Sequence, residues 1–326
     1  MKFLKEFDEV SLLIRQKNNI LLAVHEHPDG DALGSMIAMF SVLRLYEDKR
    51  VIMFSRDPVP EHLNFLPYIE DIVHDIPPDG FKPDLFLGFD YGSFERLGIS
   101  KDLIKGAAVI TFDHHPFLHQ IGDILIIDDS ASSTCEIVYR FLSHIGFPIS
   151  MLTATSLLAG IFTDTGGFTH VNTSVDTLNI VGDLLRHGAS IPKLHKHTFS
   201  HKSPDTLRVW GAILRNISHD EKIGMAYIAI SNNDFINMGS SLDAFAGIVN
   251  IISMPPNVHF SLLLIEHAPG VIKGSLRSEP FKKVDVSQIA FALGGGGHKY
   301  AAGFELKNES LKEALERVKI AAAELA

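Results

Sequence analysis

Cysteine is almost missing: Cys135 is the single one in 326 residues. No internal disulfide can form, which suits a reducing compartment. Long apolar runs are missing too. Each is strand-sized or interrupted by polar residues, well short of the roughly 20 needed to cross a bilayer. The opening stretch MKFLKEFDEVSLLIRQKNN alternates charged and apolar residues like an amphipathic helix and lacks the unbroken apolar core of a signal peptide. A cytoplasmic protein without a membrane partner is the expectation. No internal repeat or low-complexity tract is present. A basic surplus is also lacking, since the net charge is −10 and residues 206–326 are balanced, so the acidic excess lies in residues 1–205. That excludes the basic face of a duplex-DNA binder. It is compatible with bound divalent cations, and equally with an ordinary acidic surface.

What is present is globular in kind. Hydrophobic residues make up 46% and charged residues 21%, and the length allows two domains with separate cores. Over residues 1–187, strand-length apolar runs at Ile20–Val24, Val51–Phe54, Leu85–Phe89, Ala107–Phe112 and Ile124–Ile127 alternate with helical patterns at Ala32–Tyr46, Ser133–His144 and Thr153–Phe162. This order predicts an α/β fold, a mostly parallel sheet flanked by helices. Ser133 and Glu136 have capping-box spacing. The polar, His-rich residues 188–205 read as an interdomain linker. Residues 206–326 read as a smaller C-terminal α/β domain, with strands near Ile223–Ile230, Val258–Glu266 and Val271–Arg277, and helices near Leu242–Ile252, Val286–Leu293 and Ser310–Ala323.

Ligand-type side chains gather at the ends of these elements. His25, Asp29 and Asp31 follow the first strand in HEHPDGDALGS. Asp90 ends LFLGFD, Asp113, His114 and His115 end the strand AAVITFD, and Asp164 follows the helix in GIFTDTGGFTH. In a parallel sheet, ligands bind beyond the carboxyl ends of the strands. Closely spaced carboxylates repel one another, so a shared cation is a natural way to keep them ionised. Taken alone, Asp31 serves equally well as a cap for a helix from Ala32. Taken together, the four segments predict a metal centre with ligands enough for two ions. Two metals ~3.5–4 Å apart form the clamp used for in-line attack on phosphorus. The Asp and His mixture suits manganese better than calcium, which prefers oxygen donors alone. In the second domain, GSLRS (Gly274–Ser278) and GGGGHKYAAGF (Gly294–Phe304) offer Arg277, His298 and a glycine run whose N–H groups could hold an anion. A plain glycine-rich turn is the simpler reading of that run. Cys135 sits in an apolar helical pattern and reads as packing, not as a nucleophile.

These motifs resemble, in order, those of the DHH phosphoesterase superfamily: HEHPDGDALGS, FDYGS, FDHHP and FTDTGGF, followed by GSLRS and GGGGHKYAAG of the domain called DHHA1. Size and layout are closest to the members that degrade very short RNAs (nanoRNases), some of which dephosphorylate 3′-phosphoadenosine 5′-phosphate. The resemblance implies two Mn²⁺ ions bridged by Asp90, with His25 and Asp29 completing one site and Asp31, His114 and Asp164 the other. It implies that His115 contacts the scissile phosphate or aids proton transfer to the leaving group, while Asp113 lies behind the ligands and orients a ligating histidine. Arg277, Ser278, Gly295, Gly296, Gly297 and His298 would bind the substrate's far end across a cleft between the domains. The implied substrates are short oligonucleotides or nucleotide phosphates, and a homodimer is plausible by the same resemblance. A phosphodiesterase acting on cyclic or linear dinucleotides shares this layout. A nucleotide-binding sensor without turnover is the alternative of another class.

Overall fold

The computed structural model describes residues 2–75, 80–116, 119–200, 204–239, 242–245 and 247–324. The chain divides into two compact units, Met1–His201 and Lys202–Ala326. That division falls inside the stretch expected to link the domains, part of which is helical.

In the first unit the order is α1 (Leu4–Gln16), β1 (Asn19–Val24), α2 (Gly30–Leu43), β2 (Arg50–Phe54), β3 (Ile72–Val73), β4 (Leu85–Phe89), β5 (Ala108–Asp113) and β6 (Ile124–Ile127). Then come α3 (Thr134–His144), α4 (Met151–Asp164), α5 (Val175–Arg186) and α6 (Ile191–His195). The strands lie in the order β3-β2-β1-β4-β5-β6, and every pairing is parallel. Alternate residues of β1 feed two different cores. Ile20, Leu22 and Val24 pack with α1–α5, while Leu21 and Ala23 pack with Phe81, Phe86, Tyr91, Phe94 and Leu97. A strand buried on both faces reads as an unbroken apolar run, which is why these strands stand out in the sequence.

Helices α2 and α4 are both deeply buried and approach backbone to backbone. A Cβ on Gly34 would lie 2.4 Å from the Ser156 carbonyl oxygen. Ser133 caps α3, its side chain accepting the Glu136 N–H at 3.2 Å. The reciprocal half of the capping box is absent, because the Glu136 carboxylate instead accepts from the N–H and hydroxyl of Ser132.

The second unit contains α7 (Pro204–Leu214), β7 (Ser218–Asp220), β8 (Met225–Ile230), α8 (Asn232–Asn237), α9 (Ile248–Ile252), β9 (Phe260–Ala268), β10 (Val271–Ser278), α10 (Val286–Ala292), β11 (Gly296–His298), β12 (Ala301–Lys307) and α11 (Leu311–Glu324). Its mixed sheet runs β11-β12-β10-β9-β8-β7. The helix expected over Leu242–Ile252 is interrupted: a 3₁₀ turn at Leu242–Phe245 precedes α9, with Gly247 at φ 91° between them. The glycine run is neither a flexible turn nor an open nest. Gly296–His298 form a strand paired with Ala301–Gly303. A Cβ on Gly295 would lie 2.1 Å from the Gly303 carbonyl oxygen, and one on Gly297 would lie 2.6 Å from that of Ala301. Close strand approach therefore already requires glycine at both positions.

Candidate metal centre

The order of the first sheet reverses between β1 and β4, and in open α/β sheets such a switch point leaves a crevice beyond the strand ends. The carboxyl ends of β1, β4 and β5 carry His25, Asp90 and Asp113-His114-His115, and the last residue of α4 is Asp164.

Asp90 occupies the middle. Its backbone is left-handed at φ 55°, uncommon for a residue with a side chain and most readily tolerated by Asp or Asn. Such strain concentrates at functional sites. Tyr91 supports the turn from below, its buried hydroxyl 2.6 Å from that of Thr111 and donating to the Ile121 carbonyl. Asp90 Oδ2 lies 3.7 Å from His25 Nε2, and its Oδ1 lies 3.6 Å from His114 Nε2 and 3.3 Å from His115 Nδ1.

Two sets of ligand atoms flank it. His25, Asp29 and Asp90 form one, and Asp31, His114 and Asp164 the other, with all atoms of each set within 4.8 Å of one another. Asp90, His114 and His115 form a third overlapping group. His114 Nε2 stands 3.2 Å from Asp164 Oδ2, and His25 Nε2 stands 3.9 Å from Asp29 Oδ2. Donor atoms 3–4 Å apart are spaced as they would be around an ion about 2.1 Å from each.

The ligands are held by the backbone. His25 has Nδ1 at 2.6 Å from the Glu26 carbonyl oxygen, which draws the proton to Nδ1 and turns Nε2 toward the centre. Asp29, not Asp31, caps α2: its Oδ1 accepts the N–H groups of Asp31 and Ala32, both at 3.0 Å, leaving Oδ2 toward His25. Asp31 instead receives the first turn of α3, with Oδ2 accepting from Thr134 N–H at 2.6 Å and Oδ1 from Cys135 N–H at 2.9 Å. Its carboxylate rests against Gly160 of α4, where a Cβ would lie 2.6 Å from Oδ1. Asp113 is fully buried; its Oδ2 accepts Gly92 N–H at 2.8 Å, and its Oδ1 accepts both the backbone and ring N–H of His115 at 2.9 Å. The histidine that Asp113 orients is thus His115.

The electrostatics describe a site short of positive charge. Burial, reinforced by the Asp90 charge, raises the Asp31 carboxyl to about 7. Burial with Asp31, Asp29 and Asp90 nearby pushes Asp164 well above the usual range. Burial opposes the Asp90 charge as well, but hydrogen bonds from His115 and His25 outweigh it and hold that carboxyl below normal. Burial would lower His115, yet its bonds to Asp113 and Asp90 raise it to about 11. Buried carboxylates that cannot all ionise among themselves, interleaved with imidazoles, fit divalent cations, whose binding would displace the protons.

Sequence reasoning did not single out Thr134, whose hydroxyl donates to Asp90 Oδ1 at 3.1 Å, nor Gly160. Both are distant in sequence from the ligands they touch, so no spacing signals them. Cys135 is fully buried beside Asp31, and burial pushes its thiol up, as expected of packing.

In the second unit Arg277 lies on β10 in register with Ala301 of β12, which pairs with His298 of β11. The guanidinium donates to the Leu276 carbonyl at 2.8 Å, and burial alone lowers its pKa. Among the described residues no carboxylate pairs with it. Ser278 is buried and donates its hydroxyl to the His259 carbonyl at 3.0 Å. Gly295 and Gly296 are partly exposed and Gly297 is exposed, while the His298 side chain lies outside the described residues.

The model of the DHH family, N-terminal domain, matches residues 19–161, and the DHHA1 domain model matches residues 224–324. The bifunctional oligoribonuclease and PAP phosphatase NrnA of Thermus thermophilus is 29% identical over 309 residues, covering 92% of this chain and 87% of that protein. The Bacillus subtilis protein of the same name is 27% identical over 289 residues, 88% of each. An exopolyphosphatase-related protein from Bacteroides fragilis has a solved structure that matches with a TM-score of 0.91 at 26% identity, over 98% of this chain and 96% of that one.

Proposed function

We infer, for a chain that belongs to the DHH family and carries a DHHA1 domain, that it is a metal-dependent phosphoester hydrolase acting on short oligonucleotides and releasing 5′-mononucleotides. The NrnA relatives support extending this to 3′-phosphoadenosine 5′-phosphate. The observation that carries the reading is the pair of ligand sets, His25–Asp29–Asp90 and Asp31–His114–Asp164, linked by the 3.6 Å approach of Asp90 to His114. His25, Asp29 and Asp90 would hold one ion, and Asp31, His114 and Asp164 with Asp90 the other, manganese being the metal we assign. Such ions, when bound, neutralise charge on the phosphoryl oxygens and make water acidic enough to attack near neutral pH.

The chain's own residues do the rest. The strained turn at Asp90 orients both carboxylate oxygens in advance, so no reorganisation accompanies the reaction. His115, fixed by Asp113, holds a proton that it can share with a phosphoryl oxygen or pass to the leaving oxygen. Arg277 supplies a guanidinium fork for a second phosphate or a terminal one. Residues 1–187 are assigned to catalysis and 206–326 to substrate binding, joined by 188–205, in a cytoplasmic enzyme.

The test is incubation of an RNA dinucleotide with Mn²⁺, with 3′-phosphoadenosine 5′-phosphate and linear and cyclic di-adenylate in parallel, each repeated with EDTA. Mononucleotide release that EDTA abolishes, and that Asp90→Asn lowers by more than about a hundredfold, is expected. Faster turnover of a cyclic or linear di-adenylate would reassign the substrate. Binding without turnover of any of them would make the chain a sensor.

A further inference from the structure

Asp164 ends α4, and a carbonyl in that position has no partner within its own helix. Two side chains from the stretch that follows meet it. His170 Nδ1 lies 3.1 Å from the Asp164 carbonyl oxygen, and the amide nitrogen of half-buried Asn172 donates to it at 3.3 Å. The same nitrogen donates at 2.9 Å to the carbonyl of buried Ser132, one residue before the cap of α3. Asn172 thus ties the end of α4 to the start of α3. Its Oδ1 is buried and makes no hydrogen bond, so the amide is held by its donors alone. Turned over, it would set its oxygen against two carbonyl oxygens. The chain around it is fixed in turn. Thr173 N–H bonds to the His170 carbonyl at 3.1 Å, and the capping box of Ser174 and Thr177 then opens α5.

We propose that Asn172 is a positioning residue for the Asp31–His114–Asp164 set, its amide fixing Asp164 relative to Asp31. This rests on the two-ion reading given above. Two neighbouring carboxylates repel each other, so their own attraction cannot set the gap between them. The elements that carry them must do so. Asp31 is already bound to the start of α3, through the N–H groups of Thr134 and Cys135 at 2.6 and 2.9 Å. Asp164 reaches the same start of α3 through its backbone carbonyl and Asn172. Ligands spaced in advance bind an ion more tightly, which is why partners standing behind ligands matter to affinity. The other set owes nothing to this link. His25 is held by the Glu26 carbonyl, and Asp29 by the first N–H groups of α2.

Manganese titration calorimetry of the full chain tests this without reference to any substrate. Asn172→Leu keeps the shape of the amide and removes its donors. The smaller Asn172→Ser is carried alongside, so that failure of one to fold leaves the other. Each ion is isolated by deleting a ligand of the other set. In the Asp29→Asn background the remaining ion is that of Asp31–His114–Asp164, and Asn172→Leu is expected to weaken its binding about tenfold or more. In the Asp164→Asn background the remaining ion is that of His25–Asp29–Asp90, and the same change is expected to alter its affinity by less than about twofold. Equal weakening in both backgrounds would overturn the proposal. So would a lowered melting temperature in EDTA with neither affinity changed, since Asn172 would then brace the fold alone. A wild type that binds no manganese would instead remove the two-ion reading, and the proposal with it.

Discussion

The Thr134 hydroxyl donates to Oδ1 of Asp90 at 3.1 Å, while the same residue's backbone N–H holds Asp31 Oδ2 at 2.6 Å. One residue at the start of α3 therefore braces the central carboxylate and a ligand of the second set together. Thr134→Val keeps the shape and the backbone bond but deletes the hydroxyl. Manganese affinity should fall about 10–100-fold, the usual cost of losing a partner behind a metal ligand. Titration calorimetry measures it, and an unchanged affinity would leave the hydroxyl without a role in the centre.

Gly160 gives α4 the room into which Asp31 is packed. A methyl group there would lie 2.3 Å from Cys135 Sγ and 2.6 Å from Asp31 Oδ1, in a region with no space to relax. Gly160→Ala should cost about 1–3 kcal/mol in urea unfolding, as overpacked cores do. Metal analysis should show the Asp31–His114–Asp164 set losing its ion first. A variant with two ions bound at wild-type affinity would contradict the packing argument.

The metal-free protein should become less stable as pH rises from about 4 to about 7. Asp31 titrates near 3.8 when unfolded and about 7 when folded, so over that window the folded state binds more protons than the unfolded one. Asp164 acts in the same direction. Asp90, with a lowered pKa, contributes stability that is complete above its unfolded value and is lost only at lower pH. Melting curves in EDTA across this range test the slope. Added manganese should remove it and should release protons at pH 6, seen as a buffer-dependent heat of binding.

Arg277 has no carboxylate partner among the described residues to lose, so its replacement should affect substrate more than folding. Arg277→Lys keeps the charge but not the planar fork. A rise in KM of about tenfold or more, with kcat nearly unchanged, is expected if the contact is equally strong in ground and transition states. An equal fall in kcat and kcat/KM would instead place the contact in the transition state.

Much of the first unit was legible in the sequence because its strands are parallel and buried on both faces. Leu85–Phe89 and Ile124–Ile127 are continuous apolar runs whose ends coincide with the observed strands. Four strands escaped notice, and of these only β12 (Ala301–Lys307), whose AAGFELK sequence has few branched residues, is of ordinary length. β3 has two residues, β7 three, and β11 is built from glycines and one histidine. Such segments form only because a neighbouring strand supplies their hydrogen bonds, which no local pattern records.

The chain's own order determined which residues are candidates for the centre, because a parallel sheet places the residues after each strand at the same edge. Tertiary structure decided the rest. It assigned the helix cap to Asp29 and gave Asp31 to α3, joined Asp113 to His115, and set Asp90 in a left-handed turn. The reason is physical: side-chain periodicity is a local property of the chain, whereas ligand pairing depends on distances between atoms on elements far apart in sequence.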